Sequence, residues 1–179
     1  MIGRMDLKSL IRTIPHYPRH GIMFRDITTL LGDGPGFKRT IDAFLDHLGG
    51  KPIDKIAAIE SRGFIIGAAL AAPLSAGFVP LRKRGKLPGA TVGRDYELEY
   101  GADRIEMHVD AIRPGERVLL VDDLIATGGT ASAAAQLVSD GGGSIVEACF
   151  VIDLPDLGGR QRLEALGLSV FALMAFEGD

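Results

Sequence analysis

The sequence predicts one α/β domain built on a mostly parallel five-stranded sheet flanked by helices. Three observations predict it. The chain of 179 residues is long enough for one full hydrophobic core and short for two. Short apolar runs recur without clean polar alternation, as strands covered on both faces require. Helical segments separate several of those runs, which is the βαβ rhythm of a parallel sheet.

Taken in order, Leu7, Leu10, Ile11 and Ile14 have helical spacing ahead of Pro15, and Phe37, Ile41, Phe44, Leu45 and Leu48 repeat it in an amphipathic helix that stops at Gly49 and Gly50. The first core strand is "KIAAIE" (55–60), followed by the helix "FIIGAALAAPLS" (64–75) and the strand "FVPLRK" (78–83). From Lys83 to about Tyr96 there is neither an apolar period nor a helix. A connection this long is a lid or a disordered loop, and the four glycines of "KRGKLPGATVGRDYELEYG", beside the basic cluster Arg82, Lys83, Arg84 and Lys86, favour a flexible lid over 83–100. "RIEMHV" (104–109) alternates and reads as a half-exposed antiparallel strand paired with "YELEY" (96–100). The strands "RVLLVDD", "IVEACFVI" and "VFALMAF" follow, with the helices "GTASAAAQLVSDGG" and "GGRQRLEALG" between them.

A hydrophobic fraction of 46%, a charged fraction of 24% and a net charge of −3 are ordinary for a globular domain and provide no general attraction to nucleic acid or an anionic membrane. No stretch approaches the roughly 18 apolar residues of a membrane span, and "MIGRMDLKSL" has no apolar signal core. Cys149 is the only cysteine and reads as a small buried hydrophobe. A cytoplasmic protein without nucleic-acid or membrane partners is expected.

The chemistry concentrates in "VLLVDDLIATGGT" (118–130), where a buried strand ends in two adjacent carboxylates and runs into a small-residue turn. Ligands of open parallel sheets bind beyond the carboxyl ends of the strands, where Asp122 and Asp123 fall. Paired carboxylates are tolerable there if they accept hydrogen bonds from vicinal hydroxyls or lie near Mg²⁺. Ala126, Thr127, Gly128, Gly129 and Thr130 form a turn whose amides and hydroxyls can surround a phosphate at a helix start, where the helix field adds roughly 0.3–1 kcal/mol for an anion. A sugar phosphate satisfies both features. A plain Thr-capped turn would explain the Thr and Gly residues but not the acidic pair.

This stretch resembles the phosphoribosyl pyrophosphate (PRPP) motif of type I phosphoribosyltransferases over its whole length. "GIMFRDITTLL", "ESRGF", "LRKRGKLPG" and "LEYG" are similar, in the same order, to segments of the adenine phosphoribosyltransferase family. The resemblance implies the type I phosphoribosyltransferase fold, a single domain over 1–179, with a base-binding N-terminal hood (1–34) and the flexible lid. It implies conversion of adenine and PRPP to AMP and pyrophosphate in purine salvage, with Mg²⁺ as cofactor held mainly through PRPP and water rather than by protein ligands.

Roles follow from the same resemblance. Asp122 and Asp123 would hold the ribose hydroxyls, and residues 126–130 the 5′-phosphate. Ser61, Arg62 and Gly63 would present donors to pyrophosphate, although Ser61 as a helix cap and Arg62 as a solvated side chain remain the alternative. Related enzymes often carry a non-proline cis peptide in that loop. Arg82 and Lys86 match positions that contact pyrophosphate, sometimes across a subunit interface, so a homodimer is expected. Phe24 and Ile125 would sandwich the purine, with the backbone at Met23 and Arg25 bonding its edge. Relatives acting on hypoxanthine and guanine place an Asp for proton transfer where Ala126 stands here, so Glu99 is expected to take that role under a closed lid, with Tyr100 as helper. The chain departs from many members at Ile125, where Leu is common, and at His20 of "YPRHG", where a second Pro is common. His16 and His20 have i, i+4 spacing, but Pro15, Pro18 and Gly21 preclude a regular helix and so a metal pair. "GDGPGF" (32–37) lacks the Lys-Ser/Thr of a nucleotide loop and reads as a helix entry. A sister transferase for another base, and a PRPP-sensing regulator without catalysis, are the two other functions that such a motif could serve.

Overall fold

The computed structural model describes residues 6–97 and 101–178. After a 3-10 turn at Leu7–Leu10, strands β1 (Arg12–Pro15) and β2 (Met23–Asp26) form a two-stranded antiparallel hairpin apart from the main sheet. Helices α1 (Thr28–Gly32) and α2 (Gly34–Leu48) lead to β3 (Lys55–Ile59), α3 (Arg62–Leu74) and β4 (Gly77–Lys83). Then come β5 (Thr91–Glu97), β6 (Ala102–His108), β7 (Arg117–Ile125), α4 (Gly129–Asp140), β8 (Ser144–Asp153), α5 (Gly159–Glu164) and β9 (Val170–Ala175).

The main sheet has seven strands in the order β5-β6-β4-β3-β7-β8-β9. The five expected strands are its parallel part, β4 through β9, and β6 and β5 extend it antiparallel beyond β4. Along β7, Val118, Leu119, Leu120 and Val121 are fully buried because α4 and α5 cover one face and α2 and α3 the other. The chain leaves β3 outward to β4 and later returns to place β7 on β3's other side. The strand order therefore reverses between β3 and β7, and the crevice at their carboxyl ends is where this architecture places a ligand.

The expected second helix begins as its sequence dictates. Asp33 caps α2 by accepting from the Gly36 amide at 2.7 Å, Pro35 occupies the first turn, and Gly49 ends it at φ 54°. Three expectations are corrected. The helical spacing of Leu7–Ile14 yields only the short 3-10 turn and then β1, because residues 12–15 pair with β2 in the register Arg12 opposite Asp26 through Pro15 opposite Met23. The segment 83–96, expected to lack regular structure, contains β5, which pairs with β6 from Thr91 opposite His108 to Glu97 opposite Ala102. Charged Arg94, Asp95 and Glu97 hid its strand character. "RIEMHV" is an antiparallel strand as expected, but its partner is Thr91–Asp95 rather than "YELEY": Tyr96 and Glu97 stand opposite Asp103 and Ala102, and residues 98–100 lie outside the described residues. Glu106 of β6 is buried and accepts from the Gly85 amide at 2.9 Å.

Two carboxylates fasten the frame. Asp54 accepts from the amide, Nε and Nη2 of Arg117 at 2.7–2.8 Å, which ties the amino ends of β3 and β7 and holds the Asp54 carboxyl well below the usual range. Asp26 accepts from the Thr28 hydroxyl (2.6 Å), the Thr28 amide (2.9 Å) and Arg12, which lowers its pKa to about 2. The folded pKa lies below the unfolded value of about 3.9, so this stabilisation is complete above pH 4 and is lost as pH falls through 2. Asp26→Ala is expected to cost about 1–3 kcal/mol in urea melts at pH 7, with the difference from the unsubstituted protein shrinking as the pH is taken from 4 to 2.

Candidate functional site

The site is built on the carboxyl ends of β3 and β7. Along β7 the fully buried apolar run gives way to Asp122 and Asp123, which the fold treats unequally. Asp123 is 5% exposed and accepts from Arg62 Nε at 2.5 Å. Asp122 has its Oδ1 bonded by the Asp123 amide at 2.8 Å, yet burial and the neighbouring Asp123 charge push its carboxyl well above the usual range.

Beyond β7 the turn Ala126–Thr130 lines a hollow of about 120 Å³ that also touches Asp122, Leu124 and Ile125. Gly128 stands immediately before α4 at φ 75°, in the left-handed region. A Cβ on it would come within 2.9 Å of both the Cα and the carbonyl oxygen of Gly159, so side chains are excluded on grounds of space as well as conformation. α5 starts against the back of the turn, and its Arg162 donates to the Thr127 carbonyl at 3.3 Å. A phosphate at such a turn meets helix-start amides and the field of α4.

A larger hollow of about 310 Å³ lies on the other side of Asp122, with Asp122, Leu124 and Thr130 common to both. Its remaining walls include Glu60, Ser61 and Arg62 after β3, Lys83, Asp123, and Tyr96 of β5. Ser61 precedes α3 but makes no side-chain capping bond, so its hydroxyl is not committed to the helix, and the Glu60–Ser61 peptide is cis. Gly63 backs onto β7: a Cβ there would lie 2.8 Å from Asp122 Oδ1. Arg62 is bonded to Asp123 and also sits over the Phe24 ring, 5.6 Å from its centroid, so one guanidinium touches the acidic pair and the hairpin. Phe24 meets Tyr17 edge to face at 5.2 Å. Met23, Phe24 and Arg25 are the first three residues of β2.

The structure brings together Ser61, Arg62, Asp122, Asp123 and Thr130 in the larger hollow, and Ala126, Thr127, Gly128, Gly129 and Thr130 in the smaller. Met23, Phe24, Arg25 and Gly63 line neither hollow, and two further placements depart from the expected set. Ile125 is 1% exposed and packs in the core, because β7 continues through it opposite Asp153 of β8; it touches only the smaller hollow, whereas the half-buried Leu124 faces both. Arg82 and Lys86 line neither hollow. Arg82 donates to Glu60 at 2.7 Å and to the Lys86 carbonyl at 3.0 Å, and Lys83 reaches the larger hollow, 3.1 Å from Asp103. Glu99 and Tyr100 lie outside the described residues. Glu60, Lys83, Tyr96 and Leu124 were not singled out as site residues by the sequence. Lys83 was within the basic cluster, whereas Tyr96 enters only through the pairing of β5 and its packing beside α4. Among the described residues no three His, Cys, Asp or Glu side chains cluster to hold a metal ion. The donor set suits Mg²⁺ only as a cation shared with a phosphorylated ligand, with Asp122, among the described residues, the one carboxylate common to both hollows.

A strand-end acidic pair, an anion cradle at a helix start and a basic loop at the adjacent strand suit a ligand that carries both hydroxyls and phosphate, the class that a phosphorylated sugar belongs to. Residues 32–166 match the family model of the phosphoribosyl transferase domain. The chain is 66% identical over 175 residues to the adenine phosphoribosyltransferase of Nitrosospira multiformis, covering 98% of this chain and all of that one. Among solved structures, the adenine phosphoribosyltransferase of Rhodothermus marinus superposes with a TM-score of 0.90 at 50% identity, over 95% of this chain and 96% of that one. The Saccharomyces cerevisiae enzyme, complexed with an imino-altritol bisphosphate and adenine, does so with 0.89 at 42% identity, over 94% and 96%. This chain belongs to the adenine phosphoribosyltransferase family, whose members are pentosyltransferases.

The raised Asp122 pKa carries a testable sign. An acid whose folded pKa exceeds its unfolded one opposes folding at neutral pH, and the penalty vanishes below the unfolded pKa of about 3.9, where both states are protonated. Asp122→Asn is expected to raise the melting temperature at pH 7 by roughly 2–4 °C, with the gain disappearing below about pH 4 in a calorimetric series.

Proposed function

We propose that this protein joins adenine to the ribose of PRPP, releasing pyrophosphate and forming AMP for purine salvage, with the residues above in the following roles. The observation that carries the site assignment is that Asp122, Leu124 and Thr130 are shared by an anion cradle and a larger hollow walled by Arg62 and Lys83. A pentose lying over that shared edge has its 5′-phosphate at residues 126–130, its hydroxyls toward Asp122 and Asp123, and its pyrophosphate toward Ser61, Arg62 and Lys83.

The C1–pyrophosphate bond breaks as a purine nitrogen forms its bond to C1, through a transition state with oxocarbenium character. Arg62 and Lys83 offset the charge growing on pyrophosphate, and the acidic pair lies beside the positive ribose; both are oriented before reaction and so act electrostatically. Mg²⁺ bound through PRPP and water would add Lewis-acid stabilisation of the leaving group. Arg62 is shared between Asp123 and the pyrophosphate position, so the loop after β3 and the end of β7 respond to the substrate together. Phe24 with Leu124, rather than Ile125, flanks the purine, and Met23 and Arg25 bond its edge through their backbone. Glu99, aided by Tyr100, moves the purine proton under the closed lid, on the similarity of "LEYG" alone, and closure keeps water from PRPP.

The partner we assign is a second copy of the chain. α3 carries no charged side chain after Arg62, and Ile65 on it and Phe78 on β4 are 44% and 38% exposed. Such a face is suited to burial against another apolar face. Arg82 and Lys86 line neither hollow of their own chain; Lys86 is available there to a neighbouring site, and Arg82 reaches one by exchanging its bond to Glu60. Cys149 is a buried free thiol, and no described helix is long and apolar enough to cross a membrane. The assigned compartment is the cytoplasm.

Purified protein with Mg²⁺, PRPP and each purine in turn is expected to form AMP from adenine and to leave hypoxanthine and guanine largely unused; AMP formation failing under those conditions removes the reading. Glu99→Gln is expected to lower kcat by ~10²-fold or more at little cost to PRPP affinity, whereas Arg62→Ala raises the PRPP KM. In sedimentation velocity the unsubstituted chain is expected at twice the monomer mass and Ile65→Glu as a monomer. A monomeric unsubstituted chain refutes the dimer without touching the chemistry.

A further inference from the structure

The hairpin that offers its backbone to the purine is not hydrogen-bonded to the main sheet. A two-stranded hairpin is only marginally stable alone, so the placement of Met23, Phe24 and Arg25 depends on what holds β2 from outside. One such hold is the C-terminal segment. Arg25 lies over the Phe176 ring at 4.7 Å from its centroid, its Nη2 donates to the Gly178 carbonyl at 3.1 Å, and its Nη1 donates to Thr13 Oγ1 of β1 at 2.7 Å. Lys8, ahead of the hairpin, lies over the same ring at 4.6 Å.

The other end of this segment reaches the phosphate side. The Phe176 amide donates to the Asp153 carbonyl at 3.0 Å, continuing the pairing of β9 with β8. The Gly178 amide donates to Asp156 Oδ2 at 2.9 Å. Asp156 belongs to the 3-10 turn Pro155–Leu157, which leads through Gly158 to Gly159, and Gly159 presses on the back of the cradle turn. Residues 176–178 therefore span from the strand facing the base to the loop behind the phosphate.

We propose that Phe176–Gly178 is a strap setting the distance between the base subsite and the phosphate cradle, with Phe176 a positioning residue for the purine that acts through Arg25. The proposal rests on the reading of β2 as the base-binding strand. A guanidinium held by a ring, a carbonyl and a hydroxyl has few rotamers left, so the backbone at Arg25 is already ordered when adenine arrives. PRPP, held by β7, α4 and the loop after β3, gains nothing from the strap.

The test is steady-state kinetics on the full chain, with each substrate varied at saturating concentration of the other. Phe176→Ala is expected to raise the adenine KM roughly 3–30-fold, as loss of a cation–π hold implies, while the PRPP KM stays within about twofold and Phe176→Tyr restores the original value. An unchanged adenine KM, or a parallel rise of both constants, overturns the strap. Should Phe176→Ala fail to fold, a chain ending at Glu177 keeps the ring and loses both Gly178 bonds; a selective rise in adenine KM is expected, and an unchanged value again overturns the proposal. If the unsubstituted protein makes no AMP, the assignment of function fails instead, so the two failures are distinct.

Discussion

The site depends on the ion pair between Arg62 and Asp123. It joins the start of α3 to the end of β7 at the point where the strand order reverses, with Nε and Oδ2 2.5 Å apart and the carboxylate almost wholly buried. A buried carboxylate without a partner would be strongly destabilising, so Arg62 must stay near β7 unless another anion takes its place. That constraint gathers the remaining groups. It keeps Ser61 and Gly63 beside Asp122, brings the guanidinium under Phe24 of the hairpin, and leaves Asp122 as the acid with no cation bonded to it.

The two ends of the sheet divide the labour. At the amino ends of β3 and β7, Asp54 and Arg117 make a bidentate contact reinforced by a backbone bond, exposed to water and far from the chemistry. At the carboxyl ends the chain accepts a desolvated acidic pair and a glycine turn too tight for side chains, both unfavourable for folding and useful for holding a phosphorylated sugar. The apolar run of β7 sits between these ends, covered on both faces, and supplies the rigidity that lets one end remain poorly satisfied until a ligand arrives.

The parts legible in the sequence were those whose signal is local. Val118–Val121 announced a strand covered on both sides, and Asp33, Pro35 and Gly49 set the limits of α2. Asp122–Asp123 followed by Ala126–Thr130 proclaimed a sugar-phosphate site, since an acidic pair against an anion turn has few other uses. Side-chain direction at the end of β7 was harder to read. Leu124 and Ile125 are both branched aliphatics, and only the continued pairing with β8 turns Ile125 into the core and leaves Leu124 at the hollows. In the basic cluster, Lys83 rather than Arg82 lines the larger hollow, since successive residues of β4 point to opposite faces, and Arg82 is bonded to Glu60, 22 positions away in sequence.

By itself, the sequence determined the α/β class, the succession of the parallel strands and their helices along the chain, the acidic shelf and the anion turn, because each is written in residues within a few positions of one another. Only the tertiary structure decided that β5 and β6 extend the sheet, that Tyr96 comes to the larger hollow, that Arg62 pairs with Asp123, and that the C-terminal segment clasps Arg25. The reason is physical. From the attachment of β6 to β4 upward, these contacts join residues from about 20 to more than 150 positions apart, and their energy exists only once the core has brought separate elements together.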